Sequence, residues 1–534
     1  MNSNFHPVKV IDIEVSKAVR TLNGLAGYTA IKGLVRFYDT PLGYIHLPVI
    51  NNKCEADLII DIITKKFSRM IIRKCLNNWL LMKNRTEIAS IDDLLKTPEY
   101  KNPKKQLPLI TVAVCTRNRA YHLSDCLKAL SQLDYPNLEI VVIDNASTSD
   151  ETKRLVSRYP AMCYIHEPSP GLNIARNRAI FESNGEIIAF TDDDAIVAPG
   201  WLDSLINIYL ESPNVMGVSG LVVPYELETK SQLLFENYNG FGRGFRQRWC
   251  HIPNRNNNNV AIFHGGTGKF GCGANMSFRR KVFAEIGYFD PALDMGTPTN
   301  GGGDLEMFFR VLKEGYAMVY EPGAVVYHKH RKKYSELKSQ IRNWGIASTS
   351  YLVRSAAVYH DERPALLVQW FGRLLCRNIP RLFVSLIAPD LLTKDLIIAE
   401  ITGSFEGLNR YQRSCAIVGK VVPNISTTTK NSSAVTSKNG KKAPTRHVVN
   451  IDLNQPLREL NGVNNYAVSE INIKFNNRSV GKVVIHNHYE SIGIIRLSRA
   501  ITEKLDIKLL KIIFNKNYPL KKNIQNDLLK YFAI

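Results

Sequence analysis

Between residues 110 and 194, short apolar runs alternate with segments of helical spacing, and every run stops at a polar cluster. Residues 110–115 form an apolar run, as a buried strand requires. Leu123, Leu127, Leu130 and Leu133 follow at helical spacing. Residues 140–143 read as a second strand, residues 150–158 and 174–183 as helices, and residues 187–190 as a third strand. This β-α-β-α-β order predicts an α/β fold with a parallel, doubly wound sheet. Ligands of such sheets sit beyond the carboxyl ends of the strands. Those ends are Thr116-Arg117-Asn118-Arg119, Asp144-Asn145 and Asp192-Asp193-Asp194.

Three adjacent carboxylates repel one another, so Asp192-Asp193-Asp194 needs a cation or hydrogen-bond donors nearby. Oxygen ligands of this kind suit Mg2+ or Mn2+ that also touches a diphosphate; the plain alternative is an acidic turn. Asp144 can accept from a ribose hydroxyl or a base N–H, or DNAS is simply a turn. Arg176 and Asn177 fall in the first turns of a helix opened by Pro170-Gly171, where anions are favoured; otherwise Arg176 is a surface residue. Gly301-Gly302-Gly303-Asp304 opens another helix. Asp304 is a general-base candidate or an N-cap, and Glu306 is the second carboxylate candidate. Gly271-Cys272-Gly273-Ala274-Asn275 is a small-residue loop suited to admitting a sugar. His328 and His330, two apart, offer a metal or phosphate ligand or neither.

Outside this region the chain reads as further modules. Residues 83–108 and 424–446 are polar linkers, and the second carries no acidic residue, so it is expected to be flexible. The two ends resemble each other: Leu22-Asn23-Gly24 matches Leu460-Asn461-Gly462. At the same offset Tyr28 matches Tyr466, Phe37 matches Phe475 and Gly43 matches Gly481. Residues 1–82 and 447–534 are therefore expected to be two copies of a small β-rich module with a helix. Residues 363–423 read as an amphipathic helical tail. Arg373, Arg377 and Arg381 recur every four residues on one helical face, which suits either an anionic membrane surface or a helix packed on the domain with its arginines solvated.

The net charge of +21 favours phosphate-bearing or anionic partners, or is only a basic surface. Nine scattered cysteines without a CxxC pair suit a reducing compartment. No secretory leader and no membrane-spanning run is recognised. The expected location is cytoplasmic, with peripheral attachment to the inner face of the plasma membrane as a further expectation.

In order, TVAVCTRNRAYHLSDCL, EIVVIDNAS, PGLNIARNRAI, EIIAFTDDDAIVAPGWL, GCGANMSFRR, GGGDLEMFFRVLKEGY and HKHR resemble the family 2 glycosyltransferases. Each motif alone is weak; the ordered set is specific. The resemblance implies a GT-A domain over residues 109–362, a Rossmann-like, mostly parallel sheet here flanked by small β-rich modules at both ends. It implies inverting transfer of a sugar from a nucleotide diphosphate to an acceptor hydroxyl, with a divalent metal, Mg2+ or Mn2+. Thr116, Arg117, Asn118, Asp144, Asn145, Arg176, Asp192 and Asp193 would bind the donor nucleotide. Asp192 and Asp194, with His328, would hold the metal. Asp304 would be the base, and Gly273, Ala274, Asn275, Gly303 and Glu306 would form the acceptor and sugar loops. The sequence departs from the family at Gly303, where a glutamate normally precedes the catalytic aspartate, so acceptor binding is put in doubt.

The implied partners are a nucleotide-diphosphate sugar, a sugar or lipid-linked sugar acceptor and an anionic membrane surface, in surface polysaccharide or glycoconjugate synthesis; no nucleic acid is expected. A nucleotidyltransferase would want a glycine-rich loop after the first strand, and Thr116-Arg117-Asn118-Arg119 has no glycine. A nucleic-acid-binding protein is opposed by the acidic triplet. A catalytically impaired sugar-binding protein is the reading that Gly303 keeps open.

Overall fold

The computed structural model describes residues 5–85, 87–100, 106–251, 267–360, 363–388, 392–421, 447–487 and 490–514, with 528 and 532. The linker expected at 424–446 lies outside the described residues. In chain order the elements begin with β1 (Val8–Glu14), β2 (Ala30–Phe37), β3 (Thr40–Pro48), α1 (Ala56–Leu81) and α2 (Ile91–Leu95). Next come β4 (Ile110–Thr116), α3 (Ala120–Leu130), β5 (Leu138–Asn145), α4 (Glu151–Val156), β6 (Met162–Glu167), α5 (Leu172–Glu182), β7 (Ile187–Asp192) and β8 (Ala195–Val197). They are followed by α6 (Trp201–Glu211), β9 (Val215–Pro224), α7 (Lys230–Tyr238), β10 (Arg248–Cys250), β11 (Asn275–Arg279), α8 (Lys281–Ile286), α9 (Gly303–Lys313) and β12 (Ala317–His328). The helices α10 (Tyr334–Val358), α11 (Arg363–Gly372), a π-helical stretch (Arg373–Asn378), α12 (Ile379–Ile387) and α13 (Lys394–Val421) come next. The chain closes with β13 (His447–Asp452), β14 (Val468–Phe475), β15 (Arg478–His486) and α14 (Ile494–Ile513).

These elements fall into two compact units. One comprises Lys105–Ile206 and Val215–Ala434 with Met1–Pro7; the other comprises Val8–Lys104, Asn207–Asn214 and Val435–Ile534.

The first unit is built on a mixed α/β sheet of order β10-β12-β9-β11-β7-β4-β5-β6, with β8 pairing β12. β4, β5, β6 and β7 are parallel, and β11 runs antiparallel between β7 and β9. β4 and β9 are buried almost throughout, which is why they are continuous apolar runs. The strand β6 was not expected from the sequence. It is the sheet edge, and only its end residues Met162 and Glu167 are buried, so MCYIHE lacks the apolar run that marks its neighbours. From β4 the chain steps outward to β5 and β6, then returns to place β7 on the other side of β4. Right-handed crossovers put α5 on the opposite face from α3 and α4. The switch point lies between the ends of β4 and β7, at Thr116 and Asp192, where ligand crevices open.

Helices α10 and α13 pack closely because of small residues. A Cβ at Gly403 would collide with the Arg342 carbonyl oxygen, and one at Gly345 with that of Glu400.

In the second unit the two ends of the chain fold alike. In each copy the first strand runs parallel to the second and the second antiparallel to the third: β1-β2-β3 and β13-β14-β15. Each has an isolated bridge, Leu22 to Cys54 and Leu460 to Ile492. Each turns between its last two strands on a left-handed pair, Tyr38-Asp39 and Asn476-Asn477. Apolar residues of both copies, among them Phe37, Ile63, Ile473 and Leu505, form one continuous core. The Asp506 carboxylate of α14 accepts from Arg69 (2.8 Å) and Arg73 (2.9 Å) of α1.

Candidate active site

The acidic triplet stands where the sheet brings three strand ends together. β7 ends at Asp192, and β8 starts at Ala195, which pairs with His328 at the end of β12. His328 Nε2 is thereby 3.2 Å from Asp194 Oδ1. Ligand atoms of Asp192, Asp194 and His328 lie within 4.8 Å of one another. His330 backs His328, ring nitrogen to ring nitrogen at 3.2 Å, and its Nε2 faces Glu236 Oε1 at 3.1 Å. Such outer contacts orient a ligand imidazole. Arg119 donates to Asp193 Oδ1 (2.6 Å) and Asp194 Oδ2 (2.5 Å), and Thr116 Oγ1 donates to Asp193 Oδ2 (2.7 Å).

Burial would raise the Asp194 carboxyl, but His328 and Arg119 overcome it and hold the group well below the usual carboxylate range. Burial and the nearby Asp194 charge raise Asp192. Asp193 is pushed up to about 7 by burial, against the pull of Arg119. Two carboxylates and an imidazole converging at one point fit a divalent cation.

Asp304 lies in the first turn of α9. Gly302, the residue that caps this helix, has φ +98°, and a Cβ there would stand 2.8 Å from the Ala347 carbonyl oxygen, so the helix start needs glycine. Asp304 Oδ2 accepts from the Gly273 N–H (2.7 Å) and Oδ1 from the Leu305 N–H (2.8 Å). Burial, with Asp294 close by, raises its carboxyl against the pull of Arg176. That direction suits a proton acceptor working near neutral pH. Arg176 is 4% exposed and interacts with both Asp192 and Asp304, so it is no surface residue. Its Nη1 donates to Asp294 Oδ2 (2.6 Å) and to Asn173 Oδ1 (3.0 Å).

Thr116, Arg117, Asn145, Arg176, Asp192, Asp193, Asp194, Gly273, Ala274, Asp304 and His328 line one cavity of about 1340 Å³. Other expected site residues lie elsewhere. Asp144 is buried off the cavity, accepting from Ser147 Oγ and, at 2.9 Å, Tyr164 Oη. Exposed Asn118 ties its own loop to Thr148. Asn275 is fully buried and binds Trp201 Nε1 and two carbonyls, fixing the sheet behind the loop. Gly303 faces Asn173 and Asp294, and a Cβ there would stand 2.6 Å from Asp294 Oδ2. Glu306 is fully buried among Arg310 and Arg354.

The family model described as glycosyl transferase family 2 matches residues 111–287, which hold the triplet and its sheet apart from β12. The chain carries a family 2 glycosyltransferase domain. Over 286 residues it is 25% identical to polypeptide N-acetylgalactosaminyltransferase 5 of Caenorhabditis elegans, covering 50% of this chain and 44% of that protein. It is 24% identical over 238 residues to the glucosyl-dolichyl phosphate glucuronosyltransferase of Haloferax volcanii, covering 41% and 69%. It is 25% identical over 271 residues to a pre-mycofactocin glycosyltransferase of Mycobacterium tuberculosis, covering 50% and 51%. The chain thus spans about half the length of two of these three relatives. Among solved structures, a mannosyltransferase from Pyrobaculum calidifontis in complex with GDP-Man and Mn2+ aligns at 18% identity and TM-score 0.39, covering 66% of this chain and 99% of that one.

Within the glycosyltransferase unit, several cavity residues escaped sequence reasoning. Arg119 was legible only as part of a strand-end cluster, and Asp294 sits in a loop without a motif. The tail differs most from expectation. Arg373 and Arg377 line the cavity, and Arg381 donates to the Tyr238 carbonyl oxygen, so this stripe turns toward the domain. The opposite face is apolar and exposed: Leu367, Phe371, Leu375, Ile379, Phe383 and Ile387. No helix among the described residues is long and apolar enough to cross a membrane.

Proposed function

We propose that this chain is an inverting glycosyltransferase that moves a sugar from a nucleotide diphosphate to an acceptor hydroxyl. The observation that carries the reading is the convergence of the Asp192, Asp194 and His328 cluster and Asp304 on one cavity. The three relatives are all named as glycosyl-group transferases, which supports the same reaction class.

Asp192, Asp194 and His328 would hold the divalent cation, and an imidazole among the ligands favours Mn2+ over Mg2+, which keeps to oxygen. Bound there, the cation would neutralise charge gathering on the leaving diphosphate. Arg119 orients Asp193 and Asp194 and, with His328, holds Asp194 ionised. Thr116, Arg117 and Asn145 face the donor nucleotide. Asp304 takes the proton of the acceptor hydroxyl while the acceptor oxygen bonds to C1 of the sugar. The bond from C1 to the diphosphate oxygen breaks on the opposite face, and the nucleoside diphosphate leaves with the electron pair. Two backbone N–H groups hold the Asp304 carboxylate in place for this step.

The exposed apolar face of residues 367–387 supports a peripheral place on a membrane, by insertion of apolar side chains rather than by the arginines. A role in polysaccharide or glycoconjugate assembly is in keeping with that place.

Asp304→Asn tests the mechanism. With a donor chosen from a panel of nucleotide sugars by diphosphate release, turnover should fall about 10²–10⁴-fold, the range of general-base catalysis, while nucleotide affinity stays unchanged. Near wild-type turnover in that variant would remove Asp304 from the role.

A further inference from the structure

The helical tail carries two stripes at four-residue spacing. Leu367, Phe371, Leu375, Ile379, Phe383 and Ile387 face outward, whereas Gln369, Arg373, Arg377 and Arg381 lie two residues out of phase, roughly 200° around the helix. Of the inner stripe, Gln369, Arg373 and Arg377 line the cavity, and Arg243, on the segment following α7, joins them.

Among the described residues the charge there is unbalanced. Glu400 is the nearby acid, but it is already shared: Tyr238 Oη donates to it (2.5 Å), Arg377 stands at 3.4 Å and Arg381 at 3.6 Å. Among the described residues Arg243 is held only by carbonyl oxygens of Gly240, Gly242 and Gly268. Arg373 makes no hydrogen bond or ion pair with a described residue. Both amide atoms of Gln369 are buried without a partner among the described residues. Burial lowers the guanidinium groups of Arg243 and Arg373, and Arg377 adds to it. Arg119 and Arg176, by contrast, are raised by their aspartates in spite of burial. Desolvated cations without counter-charge destabilise a fold unless an anion completes them.

The cluster lies on the Asp304 side of the cavity. Arg243 interacts with Asp304, and Arg373 with Tyr351, which packs on Gly302. The diphosphate of a donor belongs at the other end, by Asp194 and Arg119. We propose that Arg243, Arg373 and Arg377, with Gln369, form a second anion subsite that grips a phosphoryl group of the acceptor while its hydroxyl faces Asp304. This rests on the glycosyltransferase reading above. A guanidinium fork and an amide N–H together match phosphate oxygens.

The test uses the full chain with saturating UDP or GDP and Mn2+, titrated calorimetrically with two probe pairs: farnesyl phosphate against farnesol, and glucose 1-phosphate against glucose. At least one phosphorylated probe should bind about tenfold or more tightly than its neutral partner, as charge-assisted bonds to phosphate imply. The pair that shows the preference identifies a lipid-linked or a soluble source. Arg373→Gln with Arg377→Gln should erase the preference and leave nucleotide affinity unchanged. Arg373→Lys should keep part of it. Since Arg373 has no hydrogen-bond or ion-pair partner to lose among the described residues, Arg373→Gln alone should melt no lower than wild type, so loss of preference in that variant is not loss of fold. Equal binding of charged and neutral probes, a preference that survives the double substitution, or a double variant that loses nucleotide affinity instead would each overturn the subsite. A wild-type chain that binds no nucleotide would defeat the transferase reading, and the same probe pairs without nucleotide would still decide the subsite.

Discussion

Asp304 and Glu306 stand two residues apart on α9 and have opposite fates. Residues two apart on a helix point about 200° from each other, so one faces the cavity and the other the core. Glu306 meets Arg310 at 2.8 Å and Arg354 at 2.6 Å, and Arg354 also reaches Asp290 at 3.3 Å. Removing one member leaves buried cations uncompensated, so Glu306→Ala should cost about 3–5 kcal/mol of stability, read in denaturant unfolding. A Glu306→Ala chain as stable as wild type but inactive would return that residue to the site. The sequence made both acids legible as candidates, since both open a helix after a glycine run. It did not say which points inward, because that depends on how α9 lies against the sheet. Asp294 was hidden for a related reason: its neighbours Arg176 and Asn173 are remote in sequence. It occupies the space a side chain at Gly303 would need, a physical account of the glycine there.

At the scale of elements, the strands that hold the triplet were readable because burial on both faces demands unbroken apolar runs. The edge strand β6 was not, because an edge tolerates polar residues. The tail's arginine spacing was also legible, but its direction was not. Charge on an amphipathic helix ordinarily marks the solvent side; here the charged stripe turns toward the cavity and leaves the apolar stripe outside. If that outer face meets lipid, the chain should co-sediment with neutral phosphatidylcholine vesicles, and Phe383→Ser with Ile387→Ser should release it. Binding that requires anionic lipid and disappears at high salt would contradict an apolar contact.

At the scale of the whole molecule, the two terminal copies share one core, so an intact second unit draws on both ends of the chain. Asp506, buried on α14, is a charged link between the copies, beside the Ser498 hydroxyl that donates to Asn77. Burial would raise its carboxyl, but the hydrogen bonds from Arg69 and Arg73 overcome that and hold it below its ordinary value. A carboxyl depressed in the folded state adds stability above its unfolded pKa and loses it as pH falls through the folded one. The stability of this unit should therefore hold from neutral pH to about pH 4, the ordinary Asp value, and decline below it. Asp506→Asn should flatten that decline and cost about 2 kcal/mol at pH 7, less than a fully buried pair because Arg69 is exposed. An acid limb unchanged by the substitution would refute the assignment.

The proposed transfer depends above all on a metal and diphosphate site at Asp192, Asp194 and His328. Calorimetric titration of UDP and GDP, with Mn2+ and with chelator, tests it most directly. At least one nucleotide should bind about tenfold or more tightly with Mn2+, and Asp194→Ala and His328→Ala should each abolish the difference. Nucleotide affinity that ignores the metal, or a Mn2+ dependence that survives both substitutions, would contradict it.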